Sequence, residues 1–147
     1  MFKDSFIIRP YQLIDETSVI SLWRICGLIV PWNNPYSDII RKLDIQPDLF
    51  LVGLKDGSLI ASVMGGYEGH RGWINYLAVH PNFQKSGYGS QILKEVEEKL
   101  KNRGCPKINL MIRKGNNKVM DFYKKLGYSV DDVISMGKMI QDDHSKN

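Results

Sequence analysis

An apolar run, WINYLAVH, breaks at Pro81, passes through Gln84-Lys85-Ser86-Gly87-Tyr88-Gly89 and becomes the helix-forming stretch SQILKEVEEKL. This strand–turn–helix junction in mid-chain limits the fold more than any other feature. Gly87 and Gly89 lack Cβ atoms, so the backbone there can take positive φ and approach an anion closely. The first N–H groups of the helix that follows have no intrahelical partners, and its dipole favours negative charge. Lys85 adds a mobile positive charge. From the residues alone two readings stand: a flexible turn, or a cradle for phosphates. A P-loop would require G-x-x-x-x-G-K-[ST], which is absent. A dinucleotide fold would place its glycines in a parallel βαβ unit near the first strand; here they follow a meander.

The rest of the chain supplies that meander. Phe6 to Arg9 reads as a short strand ended by Pro10. Val19, Ile20, Trp23 and Cys26 recur at helical spacing between Ile14 and Cys26. VPWNNPYSD is a turn-rich connector, and Asp38 to Ile45 forms a second short helix stopped near Pro47. LFLVGL and LIASVMGGY are strands joined at Asp56-Gly57. EGHRG is a loop, and WINYLAVH the next strand. Ile92, Leu93, Val96 and Leu100 give the central helix one apolar face, with Gly104 as its C-terminal stop. KINLMIR alternates as a strand. Asn116 or Asn117 caps a last helix carrying Val119, Phe122, Tyr123 and Leu126. Residues 128–138 are expected to form one or two closing strands, and QDDHSKN a frayed tail. The order is β-α-α-β-β-β-α-β-α-β: a mixed, mainly antiparallel sheet flanked by helices, in the α/β class.

Composition narrows the function. A chain of 147 residues suits one domain with one core. No apolar run approaches the roughly 20 residues of a membrane span, and MFKDSFIIRP lacks a signal-peptide core. The expected location is the cytoplasm, with no membrane partner. Cys26 and Cys105 read as plain reduced cysteines. His70, His80 and His144 are too scattered for a metal site. The net charge of +4 is spread among acids, as in KEVEEKLKNR, without a basic block. That argues against nucleic acid and suits a small polyanion.

LAVHPNFQKSGYGSQIL resembles the acyl-CoA-binding motif of the GCN5-related N-acetyltransferase superfamily, an apolar strand followed by Q/R-x-x-G-x-G/A and an apolar helix. NNKVMDFYKKLGY is similar to that family's second signature, falling on Asn116, Tyr123, Leu126, Gly127 and Tyr128. The resemblance spans about residue 6 to 140, one N-acetyltransferase domain filling 1–147 with a short polar tail. It implies transfer of an acetyl group from acetyl-CoA, as co-substrate, to a primary amine of a small molecule or protein N-terminus.

The resemblance also implies roles. Leu77, Ala78 and Val79 would bond the pantetheine arm as an added strand, with the Val79 N–H, or its neighbour's, facing the thioester oxygen. Gln84, Lys85, Ser86, Gly87, Tyr88 and Gly89 would hold the pyrophosphate, with Ser90 opening the helix beside it. Asn116 would bond the arm as well as cap its helix. Tyr123 matches the family's general acid, a phenol protonated at neutral pH that can serve a departing thiolate; from periodicity alone it reads as a core residue. Glu68 in the EGHRG loop is the candidate base, with His70 close behind and water as the alternative. Trp32, Asn33 and Tyr36 are expected to wall the acceptor, whose identity is open. A longer acyl donor such as succinyl-CoA would need a basic pocket, for which Arg71 and Arg113 are available. A non-catalytic acyl-CoA-binding module and a basic nucleic-acid-binding domain are the alternatives, and a homodimer is left open.

Overall fold

A computed structural model describes residues 5–143. Five strands lie in the order β1-β2-β3-β4-β5: β1 Phe6–Pro10, β2 Phe50–Lys55, β3 Ser58–Tyr67, β4 Gly72–Val79 and β5 Ile108–Asn109. β1 to β4 pair antiparallel, and β5 joins β4 in parallel. Helices α1 Glu16–Ile25 and α2 Pro35–Leu43 precede β2; α3 Tyr88–Asn102 and α4 Asn117–Lys125 flank β5 in sequence.

Both faces of the sheet are covered, which is why LFLVGL is apolar without interruption. Phe50 and Val52 turn toward α1, packing with Val19, Ile20, Trp23 and Ile39. Leu51, from the opposite side of the pleat, joins Ala61 and Val63 against Ile92, Leu93, Val96 and Leu100 of α3. Glycines mark where α3 presses hardest on the sheet. A Cβ at Gly65 would lie 2.7 Å from Val96 Cγ2.

Helix α2 starts three residues before the sequence pattern suggests. Asn34 accepts the N–H groups of Tyr36 and Ser37 (3.1 and 3.2 Å), and Pro35 occupies the first helical position, where its missing N–H costs nothing. The proline that reads as part of the connector begins the helix. The α3 terminus follows expectation: Gly104 has φ +86°, and the Cys105 N–H reaches back to the Leu100 carbonyl at 3.2 Å.

Two expected strands are corrected. KINLMIR is strand only over Ile108–Asn109, paired with Gly72 and Trp73; beyond that β4 has veered away and Leu110 to Ile112 have no ladder partner. Residues 128–138 contain no strand, because so short a β5 offers no edge for a ladder. That segment runs beside β5 through side chains instead, with Lys107 on Asp131 at 2.8 Å, and leaves Val133, Ile134 and Met136 exposed. His144 and the last tail residues lie outside the described residues.

Replacing Gly65 with Ala tests the sheet–helix packing. Val96 is fully buried and cannot swing away, so the added methyl is expected to cost about 1–3 kcal/mol of unfolding free energy, read from urea denaturation midpoints.

Candidate active site

The site begins with a defect in β4. Ala61 pairs with Val79 and Ser62 with Ala78, but the next pair is Met64 with Asn75. Tyr76 and Leu77 therefore stand against Val63 alone, a β-bulge. Tyr76 holds φ +53°, a left-handed conformation that is strained for a bulky residue. Three contacts and one supporting bond fix it. Its ring stacks on Trp23 with centroids 3.7 Å apart. Its hydroxyl donates to Asp38 Oδ2 at 2.6 Å. Its carbonyl accepts from Ser62 Oγ at 2.8 Å, and that oxygen accepts from Trp23 Nε1 at 2.9 Å. Burial, followed by the Asp38 carboxylate, raises the Tyr76 phenol far above its ordinary pKa, so it stays a donor.

β4 and β5, paired only at Gly72–Ile108 and Trp73–Asn109, diverge around a cleft of about 720 Å³. Tyr76, Leu77, Leu110, Ile112, Asn116 and Tyr123 line one flank; Asn33, Asp38, Arg41, Lys42 and Ile45 line the other. Ladder alternation sets which backbone groups face it. The His80 N–H donates to the Ile60 carbonyl at 2.8 Å, so Ala78 is committed to Ser62 on β3 and the N–H of Val79 turns to the open edge. Ala78 is also buried against α1. Of the three residues expected to meet an extended ligand, Ala78 serves the sheet.

Val79 leads to the glycine turn. Its carbonyl accepts from Gln84 Nε2 at 2.9 Å and from the Cys26 thiol at 3.3 Å. Lys85 and Gly87 both take positive φ, +64° and +89°. Gly87 is the N-cap of α3, which has no side-chain cap and no acidic residue in its first turn. By contrast, Asn34 caps α2 and Asn116 caps α4. A Cβ at Gly87 would meet nothing within 4 Å, whereas one at Gly89 would sit 3.4 Å from both Phe122 and Val79. Gly87 thus serves the turn, and Gly89 the packing of α3 against α4. Tyr88 pins the turn through its ring, tilted on Phe6 at 4.6 Å. Ser86 Oγ lies 3.5 Å from the Gln84 carbonyl, and Ser90 stands within the first turn of α3. Open N–H groups, no carboxylate and a nearby lysine make this turn a fit for a pyrophosphate.

Tyr123 projects from α4 into the cleft, 7% exposed. Burial pushes its pKa up to about 12. Its hydroxyl has no hydrogen-bond partner among the described residues, and its ring is held edge-on by Phe122 and Tyr128.

Glu68 and His70 are not brought to this cleft. The Glu68 carboxylate accepts the N–H groups of His70 and Arg71 at 2.5 and 2.8 Å, and those same N–H groups lower its pKa. It closes its own exposed loop. Neither Trp32 nor Tyr36 lines the cleft; Trp32 lies under Arg113, which does, 5.2 Å from ring centre to guanidinium. Sequence reading misses Tyr76, Asp38, Arg41 and Lys42. The last three recur at i, i+3, i+4 on α2, a signal for one polar face; Tyr76 carries none. Among the described residues no group of three His, Cys, Asp or Glu could hold a metal, and no helix is long and apolar enough to cross a membrane.

Comparison with known proteins settles the lineage. Residues 17–128 match the Acetyltransferase (GNAT) family. The chain belongs to that family. A Pectobacterium atrosepticum acetyltransferase is 48% identical over 136 residues, covering 92% of this chain and 96% of its own. A Yersinia enterocolitica acetyltransferase is 47% identical over 133 residues, covering 90% and 94%. Among solved structures, the PaiA N-acetyltransferase of Thermoplasma acidophilum, in complex with coenzyme A, superposes with a TM-score of 0.71. It is 20% identical, covering 88% of this chain and 93% of that one. The mixed sheet with its flanking helices is therefore a GNAT fold.

Ser62→Ala tests the support of the bulge. It strands both Trp23 Nε1 and the Tyr76 carbonyl, at about 1–3 kcal/mol per orphaned group. The expected result is a loss of about 2 kcal/mol or more in denaturation, with faster hydrogen exchange at Tyr76 and Leu77.

Proposed function

We propose that the protein transfers an acetyl group from acetyl-CoA to a primary amine, of a small molecule or a protein N-terminus, by direct attack. One observation carries this reading. The path along β4 has two ends: the uncapped N-terminus of α3 beyond Val79, suited to a pyrophosphate, and the cleft lined by Tyr76 and Leu77, into which an unpartnered buried phenol projects at Tyr123. Those two ends match the two ends of an acyl-CoA.

Each residue has a physical task in this reading. The Lys85–Gly87 turn and the N–H groups opening α3 hold the phosphates. The Val79 N–H, at the open edge of β4, bonds the pantetheine arm or polarises the thioester oxygen, a donor worth roughly 3 kcal/mol in the transition state. Asn116 closes the arm's other side. Tyr123 stays protonated across the physiological range because burial disfavours its anion, and gives that proton to the departing thiolate. The acceptor approaches from the α2 flank, past Asn33. Glu68 caps its own loop in this reading and takes no proton from the amine. A cytoplasmic location fits the same reading.

Two measurements test it. CoA is expected to raise the melting temperature by selective binding to the folded state, and Gly87→Val to weaken CoA affinity ~10-fold or more (about 1.4 kcal/mol) in calorimetry of the folded variant. Unchanged affinity would remove the turn from the site. Tyr123→Phe is expected to keep CoA affinity and lower kcat ~10²-fold. Near wild-type turnover with chemistry rate-limiting would return Tyr123 to the core.

A further inference from the structure

The second flank of the cleft holds a buried amine that this mechanism leaves unused. Lys42 is 9% exposed and lines the cleft. Its position is explained by the sheet. β2 pairs with β3 only as far as Phe50 and Met64, so the β3 edge beyond that has no strand beside it. Side chains of α2 and its following loop take the place of a strand. Lys42 Nζ donates to the Gly65 carbonyl at 2.5 Å. Gln46 donates to the Tyr67 carbonyl and accepts the Tyr67 N–H, each at 2.8 Å.

The Gly65 carbonyl is the only hydrogen-bond acceptor of Lys42 among the described residues, and no carboxylate pairs with it. The charged groups around it are spoken for. Asp48 favours its protonation and Arg103 opposes it, and those two are ion-paired with each other. On its own helix Arg41 bridges Asp38 and Asp143 at 2.7 and 2.9 Å. Across the cleft, Tyr76 is committed to Asp38, and Tyr123 is a neutral phenol. One bond to Gly65 fixes the nitrogen, and a neutral amine makes that bond while keeping its lone pair for the cleft.

Resting on the reading of acetyl transfer to an amine, we infer that Lys42 is the general base that deprotonates the acceptor. The substrate ammonium passes one proton to the Lys42 lone pair and becomes a neutral amine. Its nitrogen forms the C–N bond as the C–S bond breaks. The thiolate takes the Tyr123 proton, and the second nitrogen proton restores Tyr123. Lys42 then sheds its proton to solvent through the cleft. One proton is released per acetyl group moved. Burial brings Lys42 down to about 8, level with a peptide α-amine near 8 and well below a lysine side chain near 10.4.

The test compares wild type with Lys42→Arg, which keeps a donor for Gly65 but cannot act as a base, and with Lys42→Met. Peptides offering an α-amine or only a lysine ε-amine serve as acceptors. Wild-type kcat/KM is expected to rise through pH ~8. Both variants should be ~10²-fold slower at pH 7, recovering toward pH 10 where free amine is abundant, with the CoA-induced melting shift retained. The Lys42 side-chain NMR signal should titrate near 8 in wild type, independently of turnover. A Lys42→Arg profile that matches wild type, or a Lys42 titration above 10, overturns the inference while leaving acetyl transfer standing. Loss of both CoA binding and turnover in wild type overturns both. CoA binding without turnover of any amine also overturns the inference.

Discussion

The stack and hydrogen bonds that hold Tyr76 in a left-handed conformation are what the cleft depends on. That backbone state costs about 1–3 kcal/mol in a non-glycine residue. Against it stand the Trp23 stack, worth about 0.5–1.5 kcal/mol, and hydrogen bonds at hydroxyl and carbonyl of about 0.5–1.5 kcal/mol each. The sums are comparable, so the bulge is stable only while Trp23, Ser62 and Asp38 are all in place. The β4–β5 ladder ends at Trp73 and Asn109, just before the bulge, and the bulge bends the rest of β4 so that its edge lies open to an extended ligand. The buried Trp23–Ser62 pair is thus part of the fold's core and also the reason that the fold has an opening.

The same logic operates beyond the end of β4, at the start of α3. Helices α2 and α4 each start with an asparagine that satisfies their first N–H groups, a cap worth about 1 kcal/mol. Helix α3 forgoes one. Gly87 in its place leaves the N–H groups open, and Lys85 adopts positive φ where a glycine would be easier. Local rules for stability are broken together at one turn, which is the pattern expected where a ligand supplies the missing interactions.

Features set by neighbours along the chain are legible in the sequence. The Gly87 turn, the apolar face of α3, the Gly104 stop and the spacing of Asn116 to Tyr123 all depend on residues within about a turn or two of each other. The bulge is not legible there, because its partners Trp23, Asp38 and Ser62 come from three distant elements. Lys42 is hidden for the same reason. A lysine on a charged helix reads as solvated, and only the early end of β2, which bares the Gly65 carbonyl, makes it a buried one. KINLMIR and residues 128–138 err in the opposite direction: alternation gives a chain the capacity to be a strand, but pairing requires an edge. Glu68 stands in the right loop by family resemblance, yet the tight EGHRG turn consumes its carboxylate.

One environment sets acid and base together. Burial disfavours the charged form of any group. For the Tyr123 phenol the neutral form is protonated, so its pKa moves up, to about 12; for the Lys42 amine the neutral form is deprotonated, so its pKa moves down, to about 8. One cleft therefore holds a proton donor and a proton acceptor whose pKa values burial moves in opposite directions. The arrangement costs stability in a definite pH window. The folded pKa of Lys42 lies below its unfolded value near 10.4, so between about 8 and 10.4 the unfolded chain binds more protons. Its contribution to stability then rises with pH across that window and is at its lowest below it, where both states are protonated. The lysine is least favourable to the fold below about pH 8, and the bond to Gly65 with the packing of α2 must offset that deficit.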